Sequence, residues 1–254
     1  MERNECKVNT DISASLNIPG AYSPFILSPS QIPPIQIEKA LVKHPSKDGI
    51  EFYSFETRFN INPLLLKLIK EKCDTESNHM LHVAEVSNIL CKTIGLTNEE
   101  TFNITNAALL HDIGKIMISS KILFKPGRLS EEEFAIVKLH NVFGYRLLSS
   151  LDDKALKKYA SKIALEHHEH IDGKGYMGLC NDEIEFGARI VAVADVFDAL
   201  VSPRCYKIPW SFTEAANYIF ENSATFFDRE VVDAFSKSSN DIKEIYHIYN
   251  KKWA

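Results

Sequence analysis

Glu166-His167-His168-Glu169-His170-Ile171-Asp172-Gly173-Lys174-Gly175-Tyr176 gathers three histidines, three acids and two glycines into eleven residues. Such a cluster is poor material for an apolar core, because each buried polar group needs a partner. It is good material for binding metal. The reading of the whole chain turns on which other residues converge on this stretch.

Working outward, the sequence around it is helical from residue 62 onward. Asn62-Pro63 reads as an N-cap and first turn. His79, Val83, Val86, Leu90 and Ile94 recur at spacings of three and four, and Gly95 closes that helix. Thr97–Glu100, Ser130–Glu133 and Ser211–Glu214 are capping boxes that open three more. The first of these is expected to run into Leu109-Leu110-His111-Asp112. Further helices are expected around 153–168, 185–200, 228–236 and 240–252. The long connections are Ile116–Leu129, Glu169–Ile184 and Val201–Pro209, and long loops in a helical domain tend to carry function.

Strand signals are nearly absent after residue 60, which makes residues 61–254 an all-α bundle. Residues 1–60 hold Pro19, Pro24, Pro29, Pro33 and Pro34 and show no sustained period. They read as an irregular N-terminal segment of unassigned role, with a candidate short strand in the aromatic-rich stretch 49–59.

The 254 residues carry a net charge of −5, so no global basic footprint for duplex nucleic acid is present. The five cysteines (Cys6, Cys73, Cys91, Cys180, Cys205) are scattered and form no C-x-x-C, which reads as a reduced chain rather than a disulfide framework. No stretch approaches the ~20 apolar residues of a membrane helix, and the polar N-terminus lacks a signal peptide's apolar block. The expected location is the cytoplasm, with no membrane association.

Seven residues are candidate metal ligands: His79, His111, Asp112, His140, His167, His168 and Asp195. They fall on separate predicted helices or helix ends, as in bundles that build internal metal sites. Taken singly, each has a bland reading; His79 alone would be a hydrogen-bonded core histidine. Asp195 ends the apolar run Ala188–Ala194, so it faces a buried space, where a carboxylate needs a cation or several donors. The dyads His111-Asp112 and His167-His168 are hard to explain as packing. An aspartate can bridge two cations through its two oxygens. Seven ligands exceed the needs of one ion, so two divalent ions are expected. Two-metal sites characteristically displace groups at phosphorus. Lys115, Arg204 and Lys207 lie close in sequence to these ligands, as does Tyr176, and Asp198 is three residues beyond Asp195. Such positives suit a phosphate diester held beside two cations.

At this point the blocks resemble a known family. His111-Asp112-Ile113-Gly114-Lys115 resembles the signature of the HD phosphohydrolase superfamily. His167-His168-Glu169 followed by Asp172-Gly173-Lys174-Gly175-Tyr176 resembles the signature of its HD-GYP branch, with GYM in place of GYP. Leu123–Glu133, Ala188–Leu200 and Arg204-Cys205-Tyr206-Lys207 resemble the linking segments, in the same order across roughly residues 75–236. The resemblance implies an HD-type helical bundle with a bi-metal centre of iron or manganese. It implies a hydrolase that cleaves cyclic di-GMP, or a related cyclic dinucleotide, to pGpG or GMP by attack of a hydroxide bridging two metals. The seven ligands named above fall on that family's ligand positions. Lys115, Tyr176, Asp198, Arg204 and Lys207 fall on its substrate-contacting positions, and Asp112 and Lys115 are the residues expected to act in catalysis.

Three departures bear on this. The position that supplies a third-metal glutamate is Thr75, with Glu76 one residue out of register. Met177 replaces the GYP proline in a shortened loop, which is expected to loosen substrate closure or to alter docking of a signalling partner on the 169–184 loop. Cys205 replaces a proline. Two rival readings remain: another HD-type nucleotide phosphohydrolase, and a weakly active cyclic-dinucleotide-binding module.

Overall fold

Each of the three capping boxes starts a helix. Ser130 Oγ accepts from the Glu133 amide at 3.2 Å while Glu133 Oε2 accepts from the Ser130 amide at 2.8 Å, and Thr97–Glu100 and Ser211–Glu214 repeat the exchange. These reciprocal bonds satisfy amides that a helix start otherwise leaves unpaired. The computed structural model describes residues 79–150, 154–202 and 208–251. Within them run nine α-helices: α1 (His79–Ile94), α2 (Asn98–Ala108), α3 (Ser120–Leu123), α4 (Glu131–Leu148), α5 (Lys154–Glu166), α6 (Phe186–Val201), α7 (Phe212–Glu221), α8 (Arg229–Lys237) and α9 (Ser239–Lys251). The described residues contain no strand, only an isolated bridge between Ser223 and Phe227. The expected N-terminal segment, its candidate strand, the Asn62-Pro63 helix start, Thr75, Glu76, Arg204, Cys205 and Lys207 lie outside the described residues.

Helix α6 is central. Nearly all of it is apolar, and Ala188, Ile190 to Ala194 and Phe197 are buried, as expected of a helix with neighbours on every side. It packs against α1, α5, α7 and α8. Phe197 is fully buried, with the rings of Phe212, Phe235 and Tyr246 at 5.2, 4.9 and 5.6 Å. Burying a side chain of that size contributes about 1.5–3 kcal/mol. Helix α1 packs on α2, α6, α8 and α9, α2 on α5, and α4 on α5.

Two local features draw the polar dyads together. Helix α2 stops at Ala108 instead of running through His111-Asp112. The Ala108 carbonyl accepts from His111 Nδ1 at 2.7 Å, and the following backbone bonds tighten to i→i+3 spacing, leading into the 3-10 turn Ile113–Met117. Gly114 then lets that turn lie backbone to backbone on α4. A Cβ at Gly114 would stand 1.9 Å from the His140 carbonyl oxygen and 2.5 Å from the Gly144 nitrogen.

At the other dyad, Glu166 is buried and accepts from Lys162 Nζ at 3.0 Å and from the Glu185 amide at 2.7 Å, which ties the end of α5 to the start of α6. Asn141 Nδ2 donates to the Leu165 carbonyl at 2.8 Å, tying α4 to the same point. The expected loop 116–129 contains the short helix α3, capped by Ser119. The expectation of a reduced cysteine set is corrected at Cys180, which is disulfide-bonded.

Candidate metal centre

The seven predicted ligands converge. Asp112, His140, His167 and His168 form one group, His79, His111 and Asp112 a second, and His111, His167 and Asp195 a third, with the ligand atoms in each within 4.8 Å of one another. Asp112 is shared. Its Oδ1 lies 3.2 Å from His140 Nε2 and 3.9 Å from His167 Nε2, while Oδ2 lies 3.4 Å from His111 Nε2. Asp195 Oδ1 is 3.1 Å from His79 Nε2 and 3.8 Å from His111 Nε2.

The hydrogen bonds of the donor set fit it to a divalent metal. His111 Nδ1 meets the Ala108 carbonyl at 2.7 Å, His140 Nδ1 the Val137 carbonyl at 2.7 Å and His167 Nδ1 the Ile163 carbonyl at 3.0 Å. A carbonyl can only accept, so each Nδ1 carries the proton and each Nε2 presents a lone pair. Those three Nε2 atoms are buried without a hydrogen-bond partner. Leaving such an atom unsatisfied costs about 1–3 kcal/mol, and three of them aim into one space. Imidazole and carboxylate together suit borderline cations.

The electrostatics separate acids from bases. Burial would raise the Asp112 carboxyl, but Lys115 and His111 outweigh it and hold the group well below the usual carboxylate range. Asp195 is also held low against burial, chiefly by its hydrogen bond with His79. Burial pushes His167 well below its usual value, helped by His168, His111 and His140, and pushes His168 down to about 3. His79 goes the other way. Burial would lower it, but hydrogen bonds to Asp195 and Asp198 raise it to about 10.

A family model described as "HD domain" matches residues 63–231. The chain belongs to the HD-domain family. It is 39% identical over 182 residues to the cyclic di-GMP phosphodiesterase response regulator RpfG of Xanthomonas campestris pv. campestris, covering 71% of this chain and 48% of that protein. It is 40% identical over 203 residues to a cyclic di-GMP phosphodiesterase of Thermotoga maritima, covering 79% and 55%. The chain thus spans about half the length of the curated relatives it matches. Among solved structures it resembles Bd1817, a HDG"Y"P protein from Bdellovibrio bacteriovorus, with a TM-score of 0.53 and 24% identity over 65% of this chain and 52% of that one. That likeness bears on the fold.

Around the centre of this HD domain, Lys115 Nζ donates to Asp112 Oδ2. Tyr176 closes another side, its ring 4.7 Å from His168. Burial and the Asp112 and Asp195 carboxylates push its phenol up to about 12, so it stays a donor. Asp198, expected on substrate, is fully buried behind His79, with His79 Nδ1 at 2.6 Å on Oδ2 and His82 Nδ1, Ser202 Oγ and Tyr246 Oη each at 2.9 Å on Oδ1.

The glycine loop is folded onto Glu169. A Cβ at Gly175 would stand 2.4 Å from Glu169 Cα. The Glu169 carboxylate accepts from the amides of Met177 at 2.7 Å and Leu179 at 2.8 Å. A proline at 177 would have no N–H to give this carboxylate. His170 packs on Phe226, ring centroids 3.5 Å apart, and Asp172 accepts from the Lys174 amide at 3.1 Å. Sequence reading missed His82, Tyr246, Phe134 and Lys138. His82, three residues after His79 and so on its face of α1, was the one with a local signal.

Proposed function

We propose that the chain is a metal-dependent phosphodiesterase of the HD-GYP type that hydrolyses cyclic di-GMP in the cytoplasm. The observation that carries this reading is the convergence of seven candidate ligands, six of them buried, with Asp112 turned toward two groups of imidazoles. Two divalent ions there, iron or manganese, would polarise the phosphoryl oxygens and activate water. In the reaction a water oxygen bonds to phosphorus, the P–O3′ bond breaks, and the 3′ oxygen leaves with a proton. The first product is pGpG, and a second hydrolysis gives GMP.

The chain's own residues supply the rest. Asp112 holds the Lys115 ammonium at the edge of the centre, where it offsets charge growing on the phosphoryl oxygens. Tyr176 donates from the opposite wall. Outward from Tyr176 stands Phe134, 44% exposed, and Lys138 Nζ lies 5.0 Å from the Phe134 ring centroid and 4.8 Å from that of Tyr176. Aromatic faces with a cation beside them suit a purine and its phosphate. Arg204 and Lys207 follow α6 in sequence and complete the proposed substrate contacts.

The test is a substrate panel: cyclic di-GMP, 3′,3′-cyclic GMP-AMP and nucleoside mono- and triphosphates, with protein purified anaerobically and loaded with Fe2+ or Mn2+. Cyclic di-GMP turnover that Asp112→Ala abolishes is expected. Cleavage of only the mono- or triphosphates, or tight cyclic di-GMP binding without hydrolysis, overturns the reading.

A further inference from the structure

Asp198 is a hub whose four donors come from three elements. His79 and His82 lie on α1, Ser202 follows the end of α6, and Tyr246 lies on α9. We propose that Tyr246 and His82 are positioning residues of the metal centre, acting on the ligand His79 through Asp198. The inference rests on reading the centre as a two-ion site.

The geometry runs in one direction. Asp198 Oδ2 grips His79 Nδ1 at 2.6 Å, and the opposite ring nitrogen, Nε2, is the one that faces Asp195 at 3.1 Å. The place of Nε2 is therefore set by the plane of the Asp198 carboxylate. That plane is fixed by its other oxygen, Oδ1, which takes three donors at 2.9 Å. Rotation of the carboxylate would break all three. Each is a hydrogen bond to a buried charge, stronger than a neutral pair.

Tyr246 has a second hold on the hub. Its ring packs at 5.3 Å and 60° on His82 and at 5.6 Å on Phe197. The tyrosine thus fixes both its own donor and that of His82. It also lies beyond residue 231, where the HD-domain match ends. The ligand's aim accordingly depends on a helix outside the matched segment. Partners behind a ligating histidine are known to matter at this scale, changing metal affinity about 10–100-fold when removed.

The phenylalanine variant isolates the effect, because Tyr246→Phe keeps the ring and removes only the donor. Stepwise Mn2+ titration of the metal-free chain, followed by the paramagnetic resonance of free Mn2+, reads the two sites separately. The step lost in His79→Ala identifies the site that uses His79. Tyr246→Phe is expected to weaken that step about tenfold and to leave the other unmoved, with turnover falling through lower occupancy. Ser202→Ala removes a different donor from the same oxygen without touching α9 and is expected to shift the same step, so a misfolded Tyr246→Phe still leaves a decision. Two unmoved steps overturn the positioning role. Equal weakening of both steps together with a lower melting temperature also overturns it, since that is general loosening. A wild-type chain that takes up no Mn2+ overturns the metal reading itself, which is a different failure from unmoved steps.

Discussion

The two oxygens of Asp112 face different neighbours: Oδ1 looks toward His140 and His167, and Oδ2 toward His111 and Lys115. Asp112→Asn keeps the shape and removes the charge that both sides share. Cyclic di-GMP turnover and bound Mn2+ should both fall, turnover by about 100-fold or more, as measured by product chromatography and metal analysis. His79 leads to a second prediction. In the metal-free chain it holds its proton up to about pH 10 between Asp195 and Asp198. A cation needs that lone pair, so uptake at neutral pH must release the proton, and affinity should climb with pH until His79 titrates. Calorimetry of Mn2+ binding in two buffers of different ionisation heat should show proton release, and His79→Gln should lack that share.

Four of the seven candidate ligands, His111-Asp112 and His167-His168, were legible in sequence because such adjacent pairs have no good packing explanation, and Asp195 was legible as the acid that ends an apolar run. Asp198 was legible only by half. Its spacing from Asp195 put it on the correct face of α6, but spacing does not say what stands opposite. Its donors His82 and Tyr246 are 116 and 48 residues away, and only folding brings them there.

At the scale of elements, helix starts were written locally and helix ends were not. A capping box is a four-residue chemical statement and needs no tertiary partner. The end of α2 depends on His111 taking the Ala108 carbonyl, an event that follows from where His111 must face. Gly114 shows the same limit. In sequence it is one glycine in a signature, and in the fold it is the point where the 3-10 turn meets α4. Gly114→Ala should push that turn off α4, moving Asp112 and Lys115 together. Loss of Mn2+ binding is expected, with stability lower by about 1–3 kcal/mol, read by titration and by urea unfolding. Ser130→Ala makes the control: it loses a cap worth about 1 kcal/mol, and its metal binding should not change.

Across the whole molecule, the centre is where most helices of the bundle meet. Its candidate ligands come from α1, the turn after α2, α4, the end of α5 and α6. Metal bound there links segments far apart in sequence. The metal-free chain must instead keep Asp112, Asp195 and Asp198 buried with only protein donors. Stability should therefore follow metal occupancy: excess Mn2+ at 100 times its dissociation constant adds about 2.7 kcal/mol per site. Scanning calorimetry should show a melting temperature that rises with Mn2+ and falls back with chelator. None of the described helices is long and apolar enough to cross a membrane.

The methionine in the glycine loop has a consequence for solvent exchange. The amides of Met177 and Leu179 sit in a surface connection, where protons ordinarily trade with water quickly. Both are instead held by one buried carboxylate. In deuterium exchange the two should behave like helix-interior amides, and Glu169→Ala should release them together. Burial, only partly countered by those amides, lifts the Glu169 carboxyl above its ordinary range. Protection of the pair should accordingly fade at a milder acidity than an ordinary glutamate would need, opening the loop over the metal centre before the bundle itself unfolds.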